Sequence, residues 1–263
     1  MEKYIESNNV KIYMQLSLTD SKKAVVVIHG LAEHSGRYLE FMQDLNNAGY
    51  SVFAIDLRGH GLTQSKRGDC ESIKKVVQDV DCVINHIKEN YSINNVCIFG
   101  HSVGGLVASL YASIHSNKVD SLILSSPAIY CPKKLKIMRF IPYKLLPFIY
   151  VRKKHSESQE MLEVSLDDKL ALHKFSIRTV GIFFNDGIKK LNKTLKILCP
   201  VLLVYGEEDR LLNEQHNFKH FMQKLKNTKN KLISYKNAKH RIVHNQGKEK
   251  RIADIIAWLK QVF

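Results

Sequence analysis

The chain lacks the features that mark membrane-spanning and secreted proteins. Its 263 residues contain no run of roughly 18 or more apolar residues, so no membrane-spanning helix is expected. Residues 1–7 have no apolar core of the kind that a secretory signal carries. The five cysteines are scattered and form no Cys-x-x-Cys pair, which favours reduced thiols over a disulfide framework or a zinc site. We therefore expect a cytoplasmic protein whose thiols are free: Cys70, Cys82, Cys97, Cys131 and Cys199.

Signatures of metal-binding, nucleic-acid-binding and repeat proteins are missing as well. None of the 12 histidines stands at a spacing typical of metal ligands. The net charge of +15 fits a nucleic-acid partner, an anionic membrane surface or a Lys/Asn-rich genome, but no base-stacking platform or recognition motif accompanies it. There is no internal repeat and no low-complexity tract. We expect no metal, no cofactor and no nucleic-acid partner.

Short apolar strands alternate with amphipathic helices through the first half of the chain. Strands are predicted at residues 24–28, 50–55, 95–99 and 120–125, and helices at 37–48, 72–90 and directly after Ser102. Continuous apolar strands are typical of a parallel sheet that is covered on both faces. The alternation stops after Pro127 and resumes with strands at 200–206 and 231–236 and helices at 214–226 and 248–262. This order predicts an α/β fold with a mostly parallel, doubly wound sheet.

The interruption predicts the domain organisation. We expect an α/β core at residues 1–127 and 200–263 and an inserted, irregular segment at 128–199. The insertion holds 15 Lys and Arg against six Asp and Glu, so it carries most of the net positive charge. Its stretch 133–154 mixes cations with large apolar residues, as interfacial segments do. Two interpretations stay open: a lid that docks on an anionic membrane, and a cap whose apolar face covers a pocket while its lysines are solvated.

The motif Gly100-His101-Ser102-Val103-Gly104 carries the most chemical information in the sequence. It lies between a predicted strand and a predicted helix, where Gly-x-Ser-x-Gly forms a tight, strained turn that exposes the serine hydroxyl. The start of the helix directs free N–H groups at the place where an oxyanion would form. The alternative is a glycine-rich turn in which the serine is incidental.

A serine hydroxyl needs a base, and the base needs an orienting partner, before it can act as a nucleophile at neutral pH. Two candidates follow the last two predicted strands at the carboxyl edge of the sheet, where ligands bind. Asp209 is predicted as the acid, with Glu207 and Glu208 as alternatives. His240 is predicted as the base, while His244 could share a helical face with it in a supporting or packing role.

Backbone amides are the predicted donors to the oxyanion. The first buried strand ends in a His-Gly turn, after which the main chain can offer an N–H to the reacting oxygen. We predict the amides of Leu31 and Val103 as the two donors.

Five blocks in chain order resemble one known family. They are the His-Gly-x-x-Glu-His-x-x-Arg-Tyr pattern at 29–38, Asp-x-Arg-Gly-His-Gly at 56–61, the serine motif, Gly-x-x-Asp at 206–209, and His240. The set is similar to the signature of the monoglyceride lipases and related bacterial lysophospholipases, which are α/β-hydrolases. The resemblance implies an α/β-hydrolase fold with Ser102 as nucleophile, Asp209 as acid and His240 as base, and a cap formed by residues 128–199.

Other residues take roles only through this resemblance. It implies that four residues brace the oxyanion loop: Glu33, His34, Arg37 and Tyr38. Arg58 and His60 lie on a second loop, either near the pocket or in a polar structural network. Many caps of the family carry Asp-Pro-Leu, whereas this chain has Asp168-Lys169-Leu170, so its substrate preference stays open.

These observations lead to three hypotheses of function. The first is a serine hydrolase that releases fatty acid from a monoacylglycerol or a lysophospholipid through an acyl-enzyme, with peripheral contact of the basic cap with an anionic membrane. The second is a carboxylesterase, thioesterase or peptidase with the same machinery. The third, a binding scaffold without activity, is disfavoured because all three triad positions hold competent residues. Head group, acyl length, oligomeric state, cap opening at a lipid interface and pathway stay open.

Overall fold

A computed structural model describes residues 1–132, 135–136, 140–143, 150–152, 168–212 and 215–263. The strands in these ranges are β1 Glu2–Ser7, β2 Val10–Ser17, β3 Lys23–Ile28, β4 Ser51–Ile55, β5 Asn95–His101, β6 Ser121–Ser125, β7 Tyr150–Arg152, β8 Lys174–Ser176, β9 Val201–Gly206 and β10 Lys231–Tyr235. The α-helices are α1 Leu39–Asn47, α2 Ile73–Asn90, α3 Val103–Ile114, α4 Ile177–Gly181, α5 Ile188–Thr194, α6 Gln215–Gln223 and α7 Lys248–Val262. No helix in this part of the chain is long and apolar enough to span a membrane.

Eight strands form one mostly parallel sheet in the order β1-β2-β4-β3-β5-β6-β9-β10. All pairings from β4 to β10 are parallel, which confirms the predicted fold class. The N-terminal strands β1 and β2, which the apolar-run pattern did not predict, add an antiparallel edge next to β4. Strand β1 is largely exposed, as expected at the edge of a sheet, whereas β2 lies between β1 and β4 and is mostly buried.

The strand order reverses between β3 and β5. The chain leaves β3 toward β4 on one side and then returns to β5 on the other, where Ile28 pairs with Gly100. In an open α/β sheet, the carboxyl edge at such a reversal is the usual ligand site.

Two apolar layers cover the two faces of the sheet. Successive residues of a strand point to opposite faces, so Val26 and Ile28 join the cluster that includes α2 and α3. Val25 and Val27 join the opposite cluster with α1 and α7. The predicted helices at 72–90 and 248–262 match α2 and α7 to within one residue, whereas α6 ends three residues before the predicted boundary at 226.

The prediction that residues 128–199 are irregular throughout is wrong. Strand β8 pairs antiparallel with β7, and residues 177–194 form α4, a π-helical stretch Ile182–Gly187 and α5. The reason is packing: Val180, Phe183 and Leu191 are buried in the same apolar cluster as α3. Most of the basic stretch 133–154 lies outside the described residues. Its two interpretations, a lid that docks on membrane and a cap over a pocket, therefore both stay open.

Candidate active site

Ser102 occupies a strained turn between β5 and α3. Its φ of 53° and ψ of −117° lie in a region that L-residues rarely adopt. The backbone is held from both sides, because its N–H donates to Ser125 O at 2.9 Å and its carbonyl accepts from Ala128 N at 2.8 Å. A Cβ at Gly104 would lie 2.2 Å from Ile28 O, so only glycine lets α3 approach β3 this closely.

Asp209 and His240 form a buried pair at the ends of β9 and β10. Nδ1 of His240 lies 2.7 Å from Oδ2 of Asp209. The other oxygen, Oδ1, accepts the amides of Leu211 and Leu212 at 2.9 and 3.1 Å. Burial alone raises the pKa of Asp209, but the imidazole and the two amides outweigh it, and the pKa lies below its ordinary value. The carboxylate is therefore ionised at neutral pH.

The alternatives to these two residues lie elsewhere. Glu207 and Glu208 are exposed, and Glu207 accepts a hydrogen bond from Ser234. His244 does not share a helical face with His240, because residues 241–247 form turns and α7 begins only at Lys248. The His244 ring instead packs edge-on against Tyr38, with centroids 4.7 Å apart, which fits the packing role predicted for it.

The predicted oxyanion donors flank Ser102. Val103 is the first residue of α3, so its N–H has no partner within the helix. Within the described part of the chain, neither the Val103 nor the Leu31 amide donates a hydrogen bond. A Cβ placed on Gly30 would lie 3.2 Å from Cβ of Ser102, so the loop that carries Leu31 passes directly beside the serine.

The four residues predicted to brace this loop divide into two pairs. The first pair is Glu33 and Tyr38. Oε2 of Glu33 accepts hydrogen bonds from the N–H of Gly30 at 3.0 Å and from the hydroxyl of Tyr38 at 2.8 Å, so Tyr38 supports the loop through Glu33. His34 and Arg37 instead reach Asp168: Nε2 of His34 is 2.9 Å and Nη1 of Arg37 is 3.6 Å from Oδ2.

The segment after Asp168 is attached to the same loop. The N–H of Leu172 donates to Ala32 O at 3.1 Å. Burial alone raises the pKa of Asp168, but its hydrogen bond to His34 lowers it, and the pKa lies below its ordinary value. The Asp168-Lys169-Leu170 run is thus followed directly by a segment that is bonded to the loop beside Ser102.

Arg58 and His60 belong to a polar structural network. Arg58 is fully buried and binds Asp79 through Nε and Nη2 at 2.9 and 2.8 Å, and Glu71 through Nη1 at 2.6 Å. Nδ1 of His60 donates to Arg58 O at 3.0 Å. Of the two roles left open by the sequence, the structure favours the structural one.

Two further residues of the site were not predicted. The His101 ring packs against His240 with centroids 4.8 Å apart, and its Nδ1 faces Ser125 O at 3.1 Å. Nε of Arg241 lies 3.1 Å from Oε1 of Glu33. The position of His101 inside the serine motif was a usable signal, whereas nothing distinguishes Arg241 in sequence among 40 Lys and Arg.

A mostly parallel sheet with a strained strand-Ser-helix turn and a buried Asp-His pair at its carboxyl edge defines an α/β-hydrolase. A family model described as "Serine aminopeptidase, S33" matches residues 19–247. The chain belongs to this family, and it is a serine ester hydrolase.

The similar proteins include lipases and a phospholipase. A monoacylglycerol lipase of Mycolicibacterium smegmatis is 26% identical over 74% of this chain and 72% of its own length. A phospholipase of Bacillus subtilis is 26% identical over 75% of this chain and 80% of its own. The crystal structure of a monoacylglycerol lipase from Paleococcus ferrophilus is 25% identical and superposes with a TM-score of 0.83, covering 96% of this chain and 99% of that one.

Proposed function

We propose that this protein hydrolyses the ester bond of a monoacyl lipid, a monoacylglycerol or a lysophospholipid, through an acyl-enzyme on Ser102. The observation that carries this proposal is the buried Asp209–His240 pair, which lies on the same sheet edge as the strained Ser102 turn. An ionised acid, an oriented imidazole and a serine hydroxyl are the parts that nucleophilic acyl transfer requires.

Acylation begins at the His240 imidazole. Asp209 accepts a hydrogen bond from Nδ1–H of His240, which fixes the tautomer of the imidazole. Nε2 of His240 is then free to take the hydroxyl proton of Ser102. The serine oxygen attacks the ester carbonyl, and the amides of Leu31 and Val103 donate to the oxyanion that forms. His240 then gives its proton to the leaving alcohol, and Asp209 stabilises the imidazolium between these two transfers.

Deacylation repeats the same steps with water. His240 takes a proton from a water molecule, the resulting hydroxide attacks the acyl carbonyl, and the proton returns to Ser102 as the fatty acid leaves. In every step the protons move between side chains, water and the leaving group, and backbone amides stabilise the charge on the oxyanion. The proposed mechanism therefore includes no metal and no cofactor.

The substrate class rests on the relatives. A monoacylglycerol lipase and a phospholipase are similar to this chain at comparable identity, and both names denote enzymes that hydrolyse lipids. The two proposed substrates differ in head group but share one acyl chain in ester linkage. A carboxylesterase, thioesterase or peptidase of the same fold stays the alternative.

The proposal includes a cap at residues 128–199 that contacts anionic membrane. Two observations support the cap: residues 177–194 pack against α3, and Leu172 bonds to the loop beside Ser102. Electrostatic attraction supports the membrane contact, because residues 128–199 carry most of the net positive charge.

Fatty-acid release from a long-chain monoacylglycerol tests the function. Release is expected from the parent protein and is expected to vanish in Ser102→Ala, because the variant lacks the hydroxyl that would form the acyl-enzyme. Lysophosphatidylcholine is run alongside, and anionic vesicles added at low and high salt test the membrane contact. Turnover of short p-nitrophenyl esters without either lipid would make the protein an esterase with another substrate. Turnover that persists in Ser102→Ala would refute the mechanism.

A further inference from the structure

We propose that Arg241 is a positioning residue whose ion pair with Glu33 ties the segment bearing His240 to the loop bearing the Leu31 amide. The inference rests on the proposed function, because it concerns the base and one oxyanion donor of that reaction. It assigns to Arg241 a role in catalysis through its neighbours, without contact with substrate.

The ion pair is buried. The Arg241 and Glu33 side chains are 9% and 3% exposed, and Nε lies 3.1 Å from Oε1. A buried ion pair contributes little net stability, because desolvation of the two charges offsets their attraction. Removal of one partner leaves the other charge buried and alone, so the pair constrains geometry strongly even where it stabilises weakly.

The carboxylate of Glu33 is shared between two elements. Its Oε1 binds Arg241, while its Oε2 holds the N–H of Gly30 at 3.0 Å. Gly30 directly precedes Leu31 and lies beside the serine. A shift of the arginine therefore moves the carboxylate, and the carboxylate moves the loop whose amide is the proposed donor.

The other end of the link is His240. Arg241 is its neighbour in sequence, so the anchored guanidinium fixes the main chain that carries the imidazole. Asp209 holds one ring nitrogen, and His101 packs against the ring, but both act on the ring itself and neither reaches the oxyanion loop through a hydrogen bond. The Arg241–Glu33 pair is a buried ion pair that joins the segment bearing His240 to the oxyanion loop.

A second arginine serves as the matched control. Arg251 donates to the carbonyls of Ile242, Asn245 and Gln246 at 2.7, 2.8 and 3.0 Å. It holds the same 240–247 segment, it is buried, and none of these bonds leads to the oxyanion loop. Loss of Arg251 is therefore expected to destabilise the 240–247 segment without changing the position of His240 relative to the Leu31 amide.

A double-mutant cycle on kcat tests the inference. The variants are Arg241→Met, Glu33→Gln and both together, assayed on a p-nitrophenyl ester and by labelling of Ser102 with a fluorophosphonate. Each single change is expected to lower kcat about 10- to 100-fold with KM nearly constant, since misplacement of about 1 Å costs up to about 100-fold. The kcat of the double variant is expected to be no lower than that of the more impaired single variant. Arg251→Met should keep kcat within about threefold while its melting temperature falls.

Arg241→Lys keeps the charge but not the planar guanidinium, and it should retain an intermediate kcat. If Arg241→Met does not fold, the cycle is run with Lys in its place. Independent, multiplicative losses would overturn the inference, as would an equal fall in kcat for Arg251→Met. If the parent protein neither cleaves the ester nor reacts with the phosphonate, the proposed function itself fails and the inference with it.

Discussion

Ser102 keeps a backbone conformation that costs about 1–3 kcal/mol because the surrounding chain leaves it no other. Its N–H donates to Ser125, the last residue of β6, and its carbonyl accepts from Ala128 in the loop that follows. The two flanking glycines allow backbone contacts that a Cβ would block. Main-chain contacts thus maintain the strain at Ser102, and its side chain is not needed to hold this conformation.

Asp209 is the residue at which this chemistry can be tested most simply. Asp209→Asn keeps the shape of the side chain but removes the charge that stabilises the imidazolium, and it permits the wrong tautomer of His240. We expect kcat to fall about 10³- to 10⁴-fold with little change in KM, measured on a p-nitrophenyl ester. Glu208→Gln, an exposed neighbour, is the control and should leave kcat unchanged. A loss in Glu208→Gln with a normal Asp209→Asn would mean that the acid is misassigned.

At the scale of elements, the approach of α3 to β3 brings the candidate donors together. The first amide of α3 belongs to Val103, and the loop after β3 carries Leu31. Gly104 lets the helix pack against the carbonyls of Ile28 and His29 without a side chain between them. The distance between the two elements therefore sets the geometry of the oxyanion site.

Gly104→Ala should push α3 away from β3. Its Cβ would lie 2.2 Å from a backbone oxygen, which cannot move as a flexible side chain can. We expect a loss of about 1–3 kcal/mol or more in the free energy of unfolding, measured by urea titration, together with a loss of esterase activity. In the control Gly187→Ala, the Cβ meets the side-chain end of Leu106 at 3.0 Å, which can shift. Equal stability of the two variants would contradict the packing argument.

At the scale of the whole molecule, several histidines are buried in the uncharged form. Burial lowers the pKa of His29 to about 4 and that of His60 to about 3. Burial has the same effect on His101, whose pKa is about 3. The unfolded chain takes up these protons near pH 6.5, whereas the folded protein takes them up only near pH 3–4. The unfolded state therefore binds more protons within this window, and stability falls as the pH drops.

His60→Asn tests this linkage. Between about pH 6.5 and 5, each such histidine adds up to about 1.4 kcal/mol per pH unit to the slope of the unfolding free energy, and the variant should lack the contribution of His60. Urea titrations across this range measure the slope, which is independent of any constant destabilisation by the variant. The exposed His220 provides the control, and His220→Asn should keep the slope of the parent. An unchanged slope in His60→Asn would show that its proton uptake is not linked to folding.

The sequence alone determined the parallel core and the chemistry of the site. Apolar runs and helical periodicity depend on neighbours a few residues apart, so α2, α7 and the buried strands could be predicted within a few residues. Ser102, Asp209 and His240 were predictable because each follows a predicted strand in a recognisable order, and the structure places the last two in contact. The exposed edge strand β1 escaped because it lacks an apolar run, and the mostly buried β2 escaped because Lys11 and Gln15 interrupt its apolar residues.

Only the tertiary structure decided which distant residues touch. Glu33 and Arg241 lie at opposite ends of the chain, and His34 and Asp168 are 134 residues apart. No local pattern marks either pair, because the energy of such a contact depends on burial and charge after the sheet has assembled. The helices at 177–194 follow the same rule, since their apolar residues are stabilised by packing against α3. Local periodicity decides the elements, whereas the order of strands in the sheet decides which loops meet at the site.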